Sequence, residues 1–132
     1  MPAVAQPTAA PRFARACHFD PFRTESLGNS TIVRFCVPAL VDESIVEPVA
    51  RRLFELAEKS FRPVIILRLD SVEDLTSDML GYLLALQRRI KARGGQLILC
   101  DLHPELTMLF RRLLLNRLFT VRATEEAALA VA

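Results

Sequence analysis

Apolar and polar positions along the chain change period several times, and each change marks an element. Thr31-Ile32-Val33-Arg34-Phe35-Cys36-Val37 is β-branched and aromatic, which predicts a strand. A weaker strand is expected from about Cys17 to Glu25, with Pro21 favouring an edge position. Leu27-Gly28-Asn29-Ser30 between them has turn residue types, so the two strands should pair as an antiparallel hairpin. Ile45, Val49, Leu53, Leu56 and Ala57 then recur at helical spacing, with Arg51, Arg52, Glu55 and Glu58 on the other side. Pro48 fits the first turn of that helix, where its missing N–H costs nothing. Asp42-Glu43-Ser44 is left as a turn or lead-in, and Phe61-Arg62-Pro63 closes the helix.

Val64 to Leu69 is nearly continuous apolar, the pattern of a strand covered on both faces. Thr76-Ser77-Asp78 opens a second helix running to about Arg93. Its inward stripe is Leu80, Leu83, Leu84 and Ile90, flanked by Met79 and Leu86. Gly94-Gly95 stops it. The order helix–Gly–strand makes this pair a C-cap signal and not a phosphate loop. Gln96 to Cys100 is a further buried strand, and Pro104 begins a third helix with Leu106, Leu109, Phe110 and Leu113 facing inward. A short strand at Leu118 to Val121 precedes a last, alanine-rich helix opened by Thr124-Glu125-Glu126. The order β-β-α-β-α-β-α-β-α predicts an α/β domain. Its sheet should be mostly parallel with right-handed crossovers, the antiparallel hairpin forming one edge. Residues 1–14, with three prolines, form a flexible tail before a domain spanning 15–132.

Composition narrows the function classes. At 132 residues, 52% hydrophobic and 24% charged, the chain can bury a core without a disulfide or metal staple. Seventeen basic and fifteen acidic residues leave a formal charge of +2, too balanced for a protein whose main task is holding nucleic acid. No apolar run approaches the ~20 residues of a membrane span, so no membrane insertion is expected, and no secretory signal opens the chain. Cys17, Cys36 and Cys100 are odd in number and irregularly spaced, which does not read as a disulfide framework and fits a reducing cytoplasm. Cys36 reads as a small core residue of its strand.

Catalytic chemistry is hard to assemble. Cys100 and His103 form a C-x-x-H pair, but a zinc site needs at least three protein ligands. No P-loop, dinucleotide fingerprint or nucleophile elbow is present. The expectation is a protein that is not an enzyme and carries no cofactor or metal. Asp70 and Asp101 each follow a strand at its carboxyl end, where ligands of open α/β sheets collect and where aspartates also cap loops. Ser77 stands at a helix N-terminus between acidic neighbours. Either Ser77 or Thr76 can be the plain N-cap; a phosphate on Ser77 would meet the free N–H groups of the first turn.

The run Val64–Asp70, the stretch Thr76–Gly81, then Leu84–Gly95, Leu97–Pro104, Leu118-Phe119 and Glu126–Ala128 together resemble a STAS domain. That is the fold of bacterial anti-sigma factor antagonists and of the cytoplasmic tails of sulfate transporters. The family's switch motif, Asp-Ser-Ser-Gly-Leu-Gly, falls on Thr76, Ser77, Asp78, Met79, Leu80 and Gly81. The acceptor serine, the leucine and the last glycine match; Thr76, Asp78 and Met79 depart. The resemblance implies a phosphorylatable Ser77 and a partner-binding face of Asp70, Thr76, Ser77, Asp78, Met79 and Gly81. It also implies a partner that is an anti-sigma factor with serine kinase activity. The same resemblance admits a non-phosphorylated scaffold or subunit of a signalling or lipid-transport assembly.

Overall fold

The computed structural model describes residues 20–132; the predicted tail and the first residues of the predicted opening strand lie outside them. Strand β1 spans Phe22–Leu27 and β2 spans Ser30–Phe35, joined by Gly28 and Asn29 alone. Gly28 has φ 61, the left-handed backbone that a two-residue hairpin turn demands. β1 therefore ends two residues later than its pattern implied. Pro21 sits just outside the ladder, where a missing N–H costs nothing. Helix α1 spans Glu43–Glu58, α2 Ser77–Ala92, α3 Pro104–Arg112 and α4 Glu125–Val131. Strands β4 (Val64–Arg68), β6 (Gln96–Cys100) and β7 (Thr120–Arg122) alternate with them. The five-stranded sheet has the order β1-β2-β4-β6-β7, parallel throughout except for the β1–β2 hairpin. That is the architecture the alternation of periods predicts.

Two further strands were not legible. β3 (Ala39–Leu40) and β5 (Asp74–Leu75) pair in parallel as a separate ribbon, and two residues carry no measurable period. The start of α1 also moves. Asp42 is its N-cap, accepting from Ser44 N at 2.9 Å, so Asp42-Glu43-Ser44 belongs to the helix. Pro48 consequently lies in the second turn, not the first. The bond it forfeits is to the carbonyl of exposed Ser44, which water can satisfy.

Alternation along the strands splits the core in two. Val33, Phe35, Ile65, Leu67, Leu97 and Leu99 face α1, α2 and α3, where they meet Leu53, Leu83 and Phe110. Ile32, Ile66 and Ile98 stand in one cross-strand row on the other face and are covered by Ala128 and Leu129 of α4, with Cys100 beside them. The inward face of α2 is Met79, Leu83, Leu86, Gln87 and Ile90, while Leu80 and Leu84 are only half-buried at its margin. Leucines occur all round this helix, so periodicity alone misplaced the stripe by part of a turn. In α3, Leu106 and Phe110 are buried, but Leu113 falls past the helix end and is exposed, as is Leu118 before the shorter β7. Cys36 lies one residue beyond β2, half-buried and disulfide-bonded, which corrects both its reading as a small strand-core side chain and the expectation, drawn from the irregular cysteine spacing, of no disulfide.

The α2–β6 junction is tight. Gly95 N donates to Ile90 O and Gln96 N to Pro63 O, both at 2.9 Å. A Cβ on Gly95 would lie 1.9 Å from the Pro63 carbonyl oxygen.

Candidate functional site: the paired helix starts around Ser77

The sequence left two residues competing for the cap of α2, and the geometry separates them. Thr76 is extended (φ −83, ψ 164) and its Oγ1 accepts from Met79 N at 3.1 Å, so Thr76 is the N-cap. Ser77 is the first helical residue, exposed, and its hydroxyl makes no hydrogen bond among the described residues. Exchanging Thr76 for Ala should lower stability by about 1 kcal/mol. Ser77→Ala should leave the urea midpoint unchanged; equal losses from both would mean the cap has been misassigned.

The other expected face residues do not all gather here. Asp78 is exposed in the first turn, and Gly81 is exposed with open space where a Cβ would stand. Met79 is fully buried. Its bulk fills the core beneath the helix start and offers nothing to a docking protein, contrary to the surface role expected of it. Asp70 is exposed but turned to the opposite side, 3.3 Å from the Arg68 guanidinium.

What the sequence did not point to is the neighbour supplied by the ribbon. Ala39 pairs with Asp74 and Leu40 with Leu75, while Thr76 N donates to Leu40 O at 3.2 Å and Glu73 N to Pro38 O at 2.6 Å. Buried Leu40, Val72 and Leu75 anchor these connections from beneath. The N-termini of α1 and α2 are thus clamped side by side. Val41, Glu43, Val46, Glu47, Thr76, Asp78 and Tyr82 line the shallow hollow between them. Val41 and Tyr82 are its exposed apolar side chains. Segments 36–50 and 69–87 carry seven Asp or Glu and no Arg or Lys. The available signal was this absence of basic residues from two separate stretches. Asp42 belongs to the same face; its hydrogen bonds from the Ser44 amide and hydroxyl hold its carboxyl below the usual carboxylate range.

A second charged cluster lies on the other face of the sheet. The Arg68 guanidinium contacts Glu125 at 3.1 Å, Asp70 at 3.3 Å and Asp101 at 3.5 Å, and Arg34 reaches Glu125 at 3.7 Å. Partial burial works against the charge on Arg68, yet the three carboxylates raise its pKa further. The cluster fastens the start of α4 to the carboxyl ends of β2, β4 and β6. Burial, with Asp101 beside it, pushes the Cys100 thiol up to about 12, so it is no nucleophile at neutral pH. His103 caps α3 by accepting from Glu105 N at 3.1 Å. Among the described residues no three His, Cys, Asp or Glu side chains gather to hold a metal.

A family model, the STAS domain, matches residues 23–128. The chain belongs to the STAS domain family. Its solved neighbours share that fold. An anti-sigma factor antagonist (STAS) domain protein from Planctomyces limnophilus is 22% identical, with TM-score 0.73, over 84% of this chain and 97% of that one. The Bacillus cell fate determinant SpoIIAA in its phosphorylated form is 21% identical, with TM-score 0.63, over 84% and 99%. An anti-sigma factor antagonist from Mycobacterium paratuberculosis is 18% identical, with TM-score 0.66, over 83% and 91%. At such identities the likeness is one of fold. No curated protein matches the chain. In this STAS domain the clamped helix starts stand at the carboxyl edge of the parallel strands, where open α/β sheets present their sites.

Proposed function

We propose that this STAS domain is an anti-sigma factor antagonist-like interaction module of a partner-switching pathway, acting in the cytoplasm and without enzymatic activity. Its docking face is formed by the paired starts of α1 and α2. The observation that carries this reading is Ser77, an exposed hydroxyl without a hydrogen-bond partner among the described residues, at the first position of a helix whose cap is already supplied by Thr76. A kinase can take such a hydroxyl without dismantling the helix. The amides of Ser77 and Asp78, at the open positive end of the α2 dipole, would then receive phosphate oxygens.

The partner is an anti-sigma factor with serine kinase activity. Glu47 of this face is paired with Arg51 at 2.6 Å, but Asp42, Glu43 and Asp78 form no ion pair among the described residues and call for a basic docking surface on that partner, with Val41 and Tyr82 as the apolar contacts. Phosphate adds about −1.5 to −2 charge at the centre of this face and weakens docking by desolvation cost and altered shape complementarity. That one fold neighbour is known in a phosphorylated form supports the reading. The departures at Thr76, Asp78 and Met79 favour a second one, a non-phosphorylated scaffold or subunit of a signalling or lipid-transport assembly.

Incubation with ATP and the cognate anti-sigma kinase should phosphorylate the wild type and not Ser77→Ala, as read by mass spectrometry. Ser77→Ala should still bind the kinase, and Asp78→Ser should make Ser77 the better substrate. Phosphate on Thr76 or Ser71, or on no residue, would leave the scaffold reading in place.

A further inference from the structure

The opposite end of the domain, at the amino-terminal edge of the parallel strands, has its own character. Its connections are 27–30, 59–63, 91–96 and 111–119, and together they contain seven Arg or Lys and no Asp or Glu. Helix C-termini favour positive charge there, which accounts for some of these residues but not for what accompanies them. Phe61 projects with 85% of its surface exposed, and Leu113, Leu114 and Leu118 are exposed by 51%, 56% and 51%.

These exposures are built in. Leu115 and Phe119 are buried and anchor the 113–119 segment, Gln87 Nε2 donates to Leu118 O at 2.7 Å, and Leu114 takes a left-handed φ of 59. With the inward positions taken, Leu113 and Leu114 before Leu115, and Leu118 after it, point outward. Lys91, one turn along the same face of α2 from Gln87, lies toward this edge. Arg111 and Arg117 within it form no ion pair among the described residues. Arg112 lines a separate hollow with Glu73, Asp74 and Glu105 and adds little here.

We propose that this end docks on the surface of an anionic lipid bilayer. Shape and charge select that occupant over a protein. The concave part of this edge is mixed, lined by Ser26, Asn29, Ser60 and Gln96 together with Val64 and Phe61, and exposed Leu113, Leu114 and Leu118 lie outside it. Protein hot spots have the reverse arrangement, an apolar pocket that receives an anchor. Isolated leucines and a phenylalanine projecting between cations suit the headgroup boundary, where each apolar tip enters the acyl region and each guanidinium meets a lipid phosphate. This is attachment to the surface only, since no helix among the described residues is long and apolar enough to cross a membrane. Ser77 lies at the other end, so a docked domain keeps that face turned to solution.

Co-sedimentation with vesicles tests it, using neutral phosphatidylcholine alone and phosphatidylcholine mixed with phosphatidylglycerol. The protein should pellet with the mixed vesicles at low salt, remain in solution with the neutral ones, and be released by added salt. Arg111→Glu/Arg117→Glu should reduce partitioning at least tenfold, since each arginine near an anionic surface contributes roughly fivefold. Phe61→Ser with Leu114→Asn should reduce it similarly while leaving the thermal melt intact, because both positions are exposed and Asn tolerates the left-handed backbone. Absence of binding to the mixed vesicles would overturn the proposal, as would binding that neither variant alters. So would a solution dimer abolished by Phe61→Ser/Leu114→Asn, which would assign the patch to a second copy of the chain.

Discussion

Gly95→Ala should be among the most damaging single substitutions in this domain, costing roughly 3 kcal/mol or more, beyond the usual range for overpacking. The clash is with the backbone: a Cβ would stand 1.9 Å from the Pro63 carbonyl oxygen. No side chain can rotate away to relieve it. The same oxygen accepts from Gln96 N, and Gly95 N closes the end of α2 on Ile90 O. Any retreat of residue 95 therefore strains the helix end or separates the beginnings of β4 and β6. Gly94 provides the internal comparison. Its φ of 78 strains any L residue, but a Cβ there would meet only the Arg62 side chain, at 3.6 Å. Gly94→Ala should accordingly lose about 1 kcal/mol. Urea unfolding of the two variants separates backbone collision from conformational strain. A Gly95→Ala protein within 1 kcal/mol of wild type would show that the junction has slack its contacts deny.

The second large effect lies in α2. Leu83 is fully buried against the front face of the sheet, so Leu83→Ala should destabilise by roughly 2–4 kcal/mol. Leu84 is half-buried at the helix margin, and its truncation should cost about half as much. Similar losses at the two positions would rotate the helix relative to the sheet and carry Ser77 and Asp78 with it. The paired measurement thus checks the orientation of the candidate docking face as well as the core.

The element order was legible because each element differs from its neighbours in period. Val64–Leu69 and Gln96–Cys100 are apolar runs too short for helices, and Gly94-Gly95 punctuates the passage between helix and strand. Rotation about a helix axis was less so. With Leu80, Leu83, Leu84 and Leu86 all on α2, several stripes fit equally well, and only packing against Leu97, Leu99 and Phe110 chooses one. Ser77 could be placed at a helix start from sequence, but its separation from the capping role could not. That depends on one hydrogen bond, from Met79 N to Thr76. Asp70 looked like a neighbour of Ser77 because it is close in sequence; Arg68 draws it to the other side of the sheet. The acidic and basic segments are visible as charge runs, yet only the parallel topology sends them to opposite ends.

The β3–β5 ribbon also bears on how fast a partner is found. With Thr76 held to Leu40 and Glu73 to Pro38, the starts of α1 and α2 form a preset surface that need not be moulded during an encounter. Arrival of the proposed partner is then governed by long-range attraction between its cations and the carboxylates of Asp42, Glu43 and Asp78, and slows as ions screen that field. Residence time depends on short-range contacts at Val41 and Tyr82. Capture and release are controlled by different side chains on one rigid surface, so either rate can evolve without the other.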